Sequence, residues 1–188
     1  MYAARSRATG MEIKLSLLLI ALLLVAGAAL SAGHPKAVGN ARDHDLKALR
    51  ELEDAAALSR NNLDVARRLS TLYLRLGQPG LAIATVRSAP PELARDAVLT
   101  HRLSQAYEAS GRVDDALNTA QLALARCTPR SGCSHGTAAT LEMHVEALAM
   151  LQRWGVQEPR RDTRTALAYR LAQRTARIAS LGLLPVAE

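Results

Sequence analysis

Residues 69–82 read LSTLYLRLGQPGLA and residues 103–116 read LSQAYEASGRVDDA, so Leu69, Ser70, Tyr73, Gly77 and Ala82 recur 34 residues on as Leu103, Ser104, Tyr107, Gly111 and Ala116. Amphipathic helices all share a 3.6-residue period, but they do not hold register through a turn and a second helix. A fixed period of this length marks repeated helix–turn–helix units that bury their apolar faces against one another. Gly77 and Gly111 follow runs of helix formers and suit the left-handed position that ends a helix. Pro79 suits the first turn of the next helix, where its missing N–H costs little. Ala82 and Ala116 are small where antiparallel helices would cross closely. Pro90-Pro91 stops that second helix, since neither residue donates an N–H and each restricts its predecessor. Glu92 and Asp96 then complement the positive end of a new helix.

Over residues 63–128 the chain resembles the tetratricopeptide repeat family. The resemblance rests on Leu69 and Leu103, Tyr73 and Tyr107, Gly77 and Gly111, Ala82 and Ala116, and Ala89 and Ala123. Departures are regular too. Ala66 and Thr100 stand where the family has a large aromatic, Ser70 and Ser104 where it has glycine, and Val86 and Ala120 where it has a late aromatic. The closing proline is missing from the first unit and displaced to Pro129 in the second.

The resemblance implies an all-α solenoid of antiparallel helix pairs, with two full units. A half unit precedes them: residues 45–59 carry Leu46, Leu49, Leu52 and Ala56 at helical spacing before Asn61-Asn62 breaks the run. A degenerate unit comes after them, with helices over 137–154, ending at Gly155, and 159–180, ending at Gly182. Gly155 lies 44 residues after Gly111, so the register slips by ten, and the 127–136 loop takes up the excess. The repeat domain spans 45–182, with a polar linker at 34–44 and a tail at 183–188.

In the resembling family the first-helix faces line a concave groove that holds peptides or partner helices. Here Leu69, Leu72, Tyr73 and Leu76 read as inward-packed, leaving Arg67, Thr71 and Leu74 on another face with Arg75 beside them, and His101, Gln105 and Glu108 equivalent on the next unit. Such a groove is mildly basic and suits a partner carboxylate. The alternative for these residues is a solvated helix face.

The amino terminus reads as a targeting segment. Residues 15–33 carry no charge over 19 positions, follow Arg5, Arg7 and Lys14, and turn small toward Gly33. Those are the parts of a secretory signal. An uncleaved anchor is the alternative, because about 20 apolar residues span a bilayer. Both place the repeats beyond the membrane, periplasmic or secreted if cleaved, anchored and facing the periplasm if not. His34 rather than Cys comes after Gly33, which argues against a lipid-anchored form, and translation could start at Met1 or Met11.

Five scattered histidines, no H-E-x-x-H, no G-x-S-x-G and no phosphate-binding glycine loop give no support to an enzyme. No cofactor is expected. Net charge is +7, and Arg170, Arg174 and Arg177 form a row, read here as a solvated outer face rather than a nucleic-acid or lipid contact. The expectation is an exported scaffold that binds a protein or peptide partner, in contact with membrane only through residues 15–33 if these are retained. The alternative is a metal-binding or enzyme-accessory protein using Cys127, Cys133 and His135, with His144 a further ligand, although C-x5-C is wider than usual zinc spacing.

Cys127 and Cys133 flank a turn-forming Thr-Pro-Arg-Ser-Gly, and an even count in an exported chain points to a disulfide. Closing so short a loop stabilises by about 2–3 kcal/mol in the chain-entropy account. Thiol labelling of protein isolated without reductant should therefore find neither cysteine free. Two free thiols, or stoichiometric zinc, would overturn the pairing.

Overall fold

The computed structural model describes residues 36–131 and 133–180. The segment at 15–33, Gly182 and the tail at 183–188 lie outside the described residues. The chain divides into two compact units, Met1–His44 and Asp45–Glu188. All described secondary structure is helical: α1 (Lys36–Leu58), α2 (Leu63–Arg75), α3 (Pro79–Arg87), the single turn α4 (Pro91–Ala94), α5 (Ala97–Ala109), α6 (Val113–Arg126), a 3-10 turn (Pro129–Ser131), α7 (His135–Arg153) and α8 (Thr163–Ser180). The fold is all-α, and no strand occurs among the described residues.

Local chemistry sets these boundaries. Asn62 caps α2, its side-chain oxygen accepting from the Val65 N–H at 3.2 Å. Asp96 does the same for α5, accepting from Leu99 N–H at 2.8 Å. Such caps satisfy one of the orphan donors of a first turn. Pro79 opens α3 and Pro91 opens α4. α1 begins at Lys36, so helix covers most of the stretch read as a linker. Gly39 costs about 1 kcal/mol inside a helix, which is not enough to end one. α8 begins at Thr163 rather than near Pro159.

The glycine ends recur as a unit. Gly77, Gly111 and Gly155 have φ of 72°, 77° and 63°. After each, one N–H reaches back to the helix: Gln78 to the Tyr73 carbonyl at 2.8 Å, Arg112 to Tyr107 at 2.9 Å and Val156 to Leu151 at 3.0 Å. These bonds satisfy carbonyls that the helix itself cannot. The third turn comes after the second at the slipped spacing of 44, so the register break lies between α6 and α7. There Cys127 and Cys133 are bonded to each other, Cα to Cα 5.2 Å.

Within the second unit α2 packs on α3, α5 on α6, and α7 on α8, while α2 and α3 also meet α5, and α6 meets α7. Leu52 of α1 joins Leu69, Leu72, Tyr73 and Ala82 in one buried cluster. A second cluster runs from Tyr107 and Ala116 through Leu148 and Leu151 to Ala168 and Ala172. Ala82, Ala116, Ala120 and Ala123 have no exposed surface, because helices cross where they sit. Ser70 and Ser104 are equally buried; Ser104 Oγ donates to the Ala116 carbonyl at 2.7 Å, joining α5 to α6.

An added methyl group discriminates the glycine turns. A Cβ at Gly77 meets nothing within 4 Å, whereas one at Gly111 falls 2.8 Å from the Gln157 carbonyl oxygen. Gly77→Ala should cost about 1–2 kcal/mol from the left-handed backbone alone. Gly111→Ala should cost measurably more, because the turn before α8 must move. Equal losses in urea unfolding would contradict that packing.

Candidate functional site

One stripe of each first helix is exposed or half-buried along its whole length. On α2 it is Asp64, Arg68, Thr71 and Arg75; on α5 it is Val98, Arg102, Gln105 and Ala109, the same positions one period later. On α7 it is Glu142, Glu146, Ala149 and Arg153, again at the slipped spacing. Each stripe runs i, i+4, i+7, i+11, one face of a helix. Thr71, Arg75 and Gln105, expected in the groove, belong to these stripes. Arg67, His101 and Glu108 do not.

Those three turn toward neighbouring elements. Arg67 is held by Asp96, Nε to Oδ1 at 2.9 Å and a terminal nitrogen to Oδ2 at 2.5 Å. The side-chain bond to Asp96 raises the Arg67 pKa. Arg75 is paired with Asp45. Both positive charges expected to make the groove basic are thus matched by carboxylates within the unit. The half-buried cation that remains is Arg102, which donates from one terminal nitrogen to Gln105 Oε1 at 2.8 Å. Its Nε is buried without a hydrogen-bond partner, and burial lowers its pKa.

Helical spacing alone puts His101 on the open face, but it is 7% exposed. It sits one period after Arg67, and like Arg67 it reaches the next element. Its Nε2 lies 2.9 Å from Nδ1 of His144, itself 3% exposed. His144 Nε2 lies 3.0 Å from Glu108 Oε2, and the Tyr169 hydroxyl donates to the same oxygen at 2.8 Å. Four side chains from α5, α7 and α8 thus form one chain of hydrogen bonds. The ionised carboxylate can only accept, so it fixes a proton on His144 Nε2. Nδ1 of His144 then accepts, and His101 Nε2 carries the proton it needs.

That enclosure sets the electrostatics. Burial, with the added repulsion of His144 and Arg102, pushes the His101 pKa down to about 3 from an ordinary 6.5. Burial, the Glu108 charge and the bond to Glu108 raise that of the Tyr169 hydroxyl. The network therefore rests with a neutral His101 and a protonated tyrosine.

Glu108 also opens onto solvent. A cleft of about 230 Å³ lies between the end of α5 and the turn before α8, lined by Gln105, Glu108, Ala109, Pro159, Arg160 and Thr165. A second, of about 350 Å³, shares Glu108, Ala109, Pro159 and Arg160. Thr165 Oγ1 beside the first is buried without a partner. A crevice of about 380 Å³ among α1, α2 and α3 has small and apolar walls with Arg60 as its one ionisable residue.

No group of three or more metal-ligating side chains is arranged to hold an ion among the described residues. With both sulfurs in the disulfide, the 127–133 loop has no thiolate to offer a metal. No described helix is long and apolar enough to cross a membrane. Comparisons of the chain with family models, with curated proteins and with solved structures returned no match.

The buried neutral imidazole predicts a pH dependence. Below pH 6.5 the unfolded chain takes a proton at His101 that the folded chain refuses until about pH 3. The unfolded state then binds more protons, so His101 contributes a loss of stability as pH falls through that window, up to about 1.4 kcal/mol per pH unit. His101→Asn removes this contribution. Urea unfolding between pH 6.5 and 4 should show a shallower loss in that variant. Identical slopes would mean His101 is not held neutral.

Proposed function

We propose that the chain is an exported tetratricopeptide-like scaffold that holds a protein or peptide partner across the open stripes of its first helices. The observation that carries this reading is the recurrence of the stripe itself. Residues 64, 68, 71 and 75 on α2 are exposed or half-buried and 98, 102, 105 and 109 on α5 are half-buried, at the period that also repeats the buried Ser, Tyr and Ala positions. A repeated unit that buries most of its apolar positions and leaves one partly open stripe per unit suits extended contact rather than a reaction centre. The uncharged run at 15–33 and the bonded cysteines support the exported part of the proposal.

Partner recognition on these stripes is mixed in charge. α2 offers Arg68 and Arg75, α5 offers Arg102, and α7 offers Glu142 and Glu146. Arg68 contacts Asp64 at 3.6 Å with both side chains well exposed, a pair that contributes little to folding. It can therefore be reversed in sign without loss of the fold, unlike Arg67, whose replacement by Glu would set two carboxylates together at the cap of α5.

Affinity capture from an envelope extract with the full chain should recover a partner. Arg68→Glu combined with Gln105→Glu should weaken that partner at least tenfold, with helicity unchanged. Arg174→Glu, exposed on α8, should leave it within about twofold. Loss with Arg174→Glu and retention with the stripe variant would move the binding surface to α8.

A further inference from the structure

The chain of bonds from His101 to Glu108 has room for one more proton than it holds at neutral pH. In the resting form His101 Nε2–H donates to His144 Nδ1, and His144 Nε2–H donates to Glu108. A proton arriving at His101 Nδ1 need not stay there. If Nε2 of His101 passes its own proton to His144 Nδ1, His101 ends neutral with its proton on Nδ1, and His144 ends as the imidazolium. One proton enters, one shifts, and the net gain is one positive charge. Every bond survives: His144 Nδ1–H now donates to His101 Nε2, and His144 Nε2–H still donates to Glu108. The charge comes to rest beside the one carboxylate in the network.

We propose that His101, His144 and Glu108 form a one-proton relay that converts mild acidification into neutralisation of the Glu108 charge at the wall of the α5 cleft. The contact limits the pair to one added proton, and the carboxylate beside His144 favours holding it on that ring. Two imidazolium rings cannot keep an N···N contact of 2.9 Å, since both facing nitrogens would carry hydrogens. The resistance of His101 to holding the charge agrees.

The surrounding groups do not supply a rival partner. On α5 these are Arg102, which repels charge on His101, and Glu108 itself. Arg67 of α2 is committed to Asp96, and Arg126 of α6 donates to the Ala94 carbonyl and Thr100 Oγ1. On α7, Glu146 is half-buried and Glu142 exposed; on α3 and α4, Arg87 and Glu92 are exposed. Tyr169 of α8 shares the Glu108 oxygen and keeps its proton. Arg160 also lines that cleft, so pairing Glu108 with an imidazolium leaves it more positive and better suited to an anionic group.

Use of this change by a partner rests on the scaffold reading above; the relay does not. Nitrogen-15 spectra of histidine in the full chain test the relay without any partner. Between pH 8 and 4, Nε2 of His101 should pass from proton-bearing to proton-free at the same midpoint at which Nδ1 of His144 gains its proton. In Glu108→Gln the amide still occupies the site but the charge is gone, and the shared midpoint should move to lower pH by at least one unit. Separate midpoints in the wild type, or a His101 that gains charge while keeping Nε2–H, would overturn the relay. A shared midpoint that Glu108→Gln leaves in place would overturn the role given to the carboxylate. A confirmed relay with no partner captured at any pH would leave the proton exchange standing and defeat only the scaffold reading.

Discussion

One repeat position fixes how each first helix meets the next helix pair. At residue 67 it is an arginine that grips Asp96, the residue that caps α5. One period later, at residue 101, it is a histidine that grips His144 on α7. Both contacts direct a polar side chain away from the open face and into the seam. In the first seam the bond also serves folding directly, because Asp96 both accepts from Leu99 and receives the guanidinium. In the second, Glu108 and Tyr169 extend the contact to α8. A buried polar group without a partner costs about 1–3 kcal/mol, so such contacts specify which helix lies where more than they add net stability.

On the proposed scaffold reading, the same geometry separates structure from recognition. Side chains at 67 and 101 are bonded internally, and Glu108 is bonded to His144 and Tyr169 while also lining a cleft. Those at 68, 71, 102 and 105 lie roughly 100° around the helix or one turn along, Arg68 exposed and the other three half-buried. Arg102 is the point at which the two roles touch. It neighbours His101 in sequence, carries a buried Nε without an acceptor, and raises the cost of charge on His101.

The helices and their ends are legible in the sequence because local chemistry writes them. Gly77, Gly111, Gly155, Pro79 and Asp96 each do what their side chains, or the lack of one, demand. The open face is legible only in part. Thr71, Arg75 and Gln105 lie where the helical period puts them, but Arg67, His101 and Glu108 lie about one position further round, toward the seam. Helical period gives the angle between residues; it does not say from which side the next helix approaches. The seam is illegible for a related reason. His144 lies 43 residues from His101, and Tyr169 lies 61 from Glu108, so no local pattern couples them. The early start of α1 is hidden because Gly39 and the polar residues after it have the composition of a linker, although none of them forbids a helix.

That position 101 is a joint between helices can be measured by a double-mutant cycle. His101→Asn, His144→Asn and the double variant would be unfolded in urea at pH 7.5. A joint predicts that the two losses fail to add, with a coupling of about 1 kcal/mol or more, the range found for residues in one hydrogen-bond network. Losses that add to within about 0.3 kcal/mol would mean the rings do not hold α5 to α7, and the seam would have to be assigned to apolar packing alone.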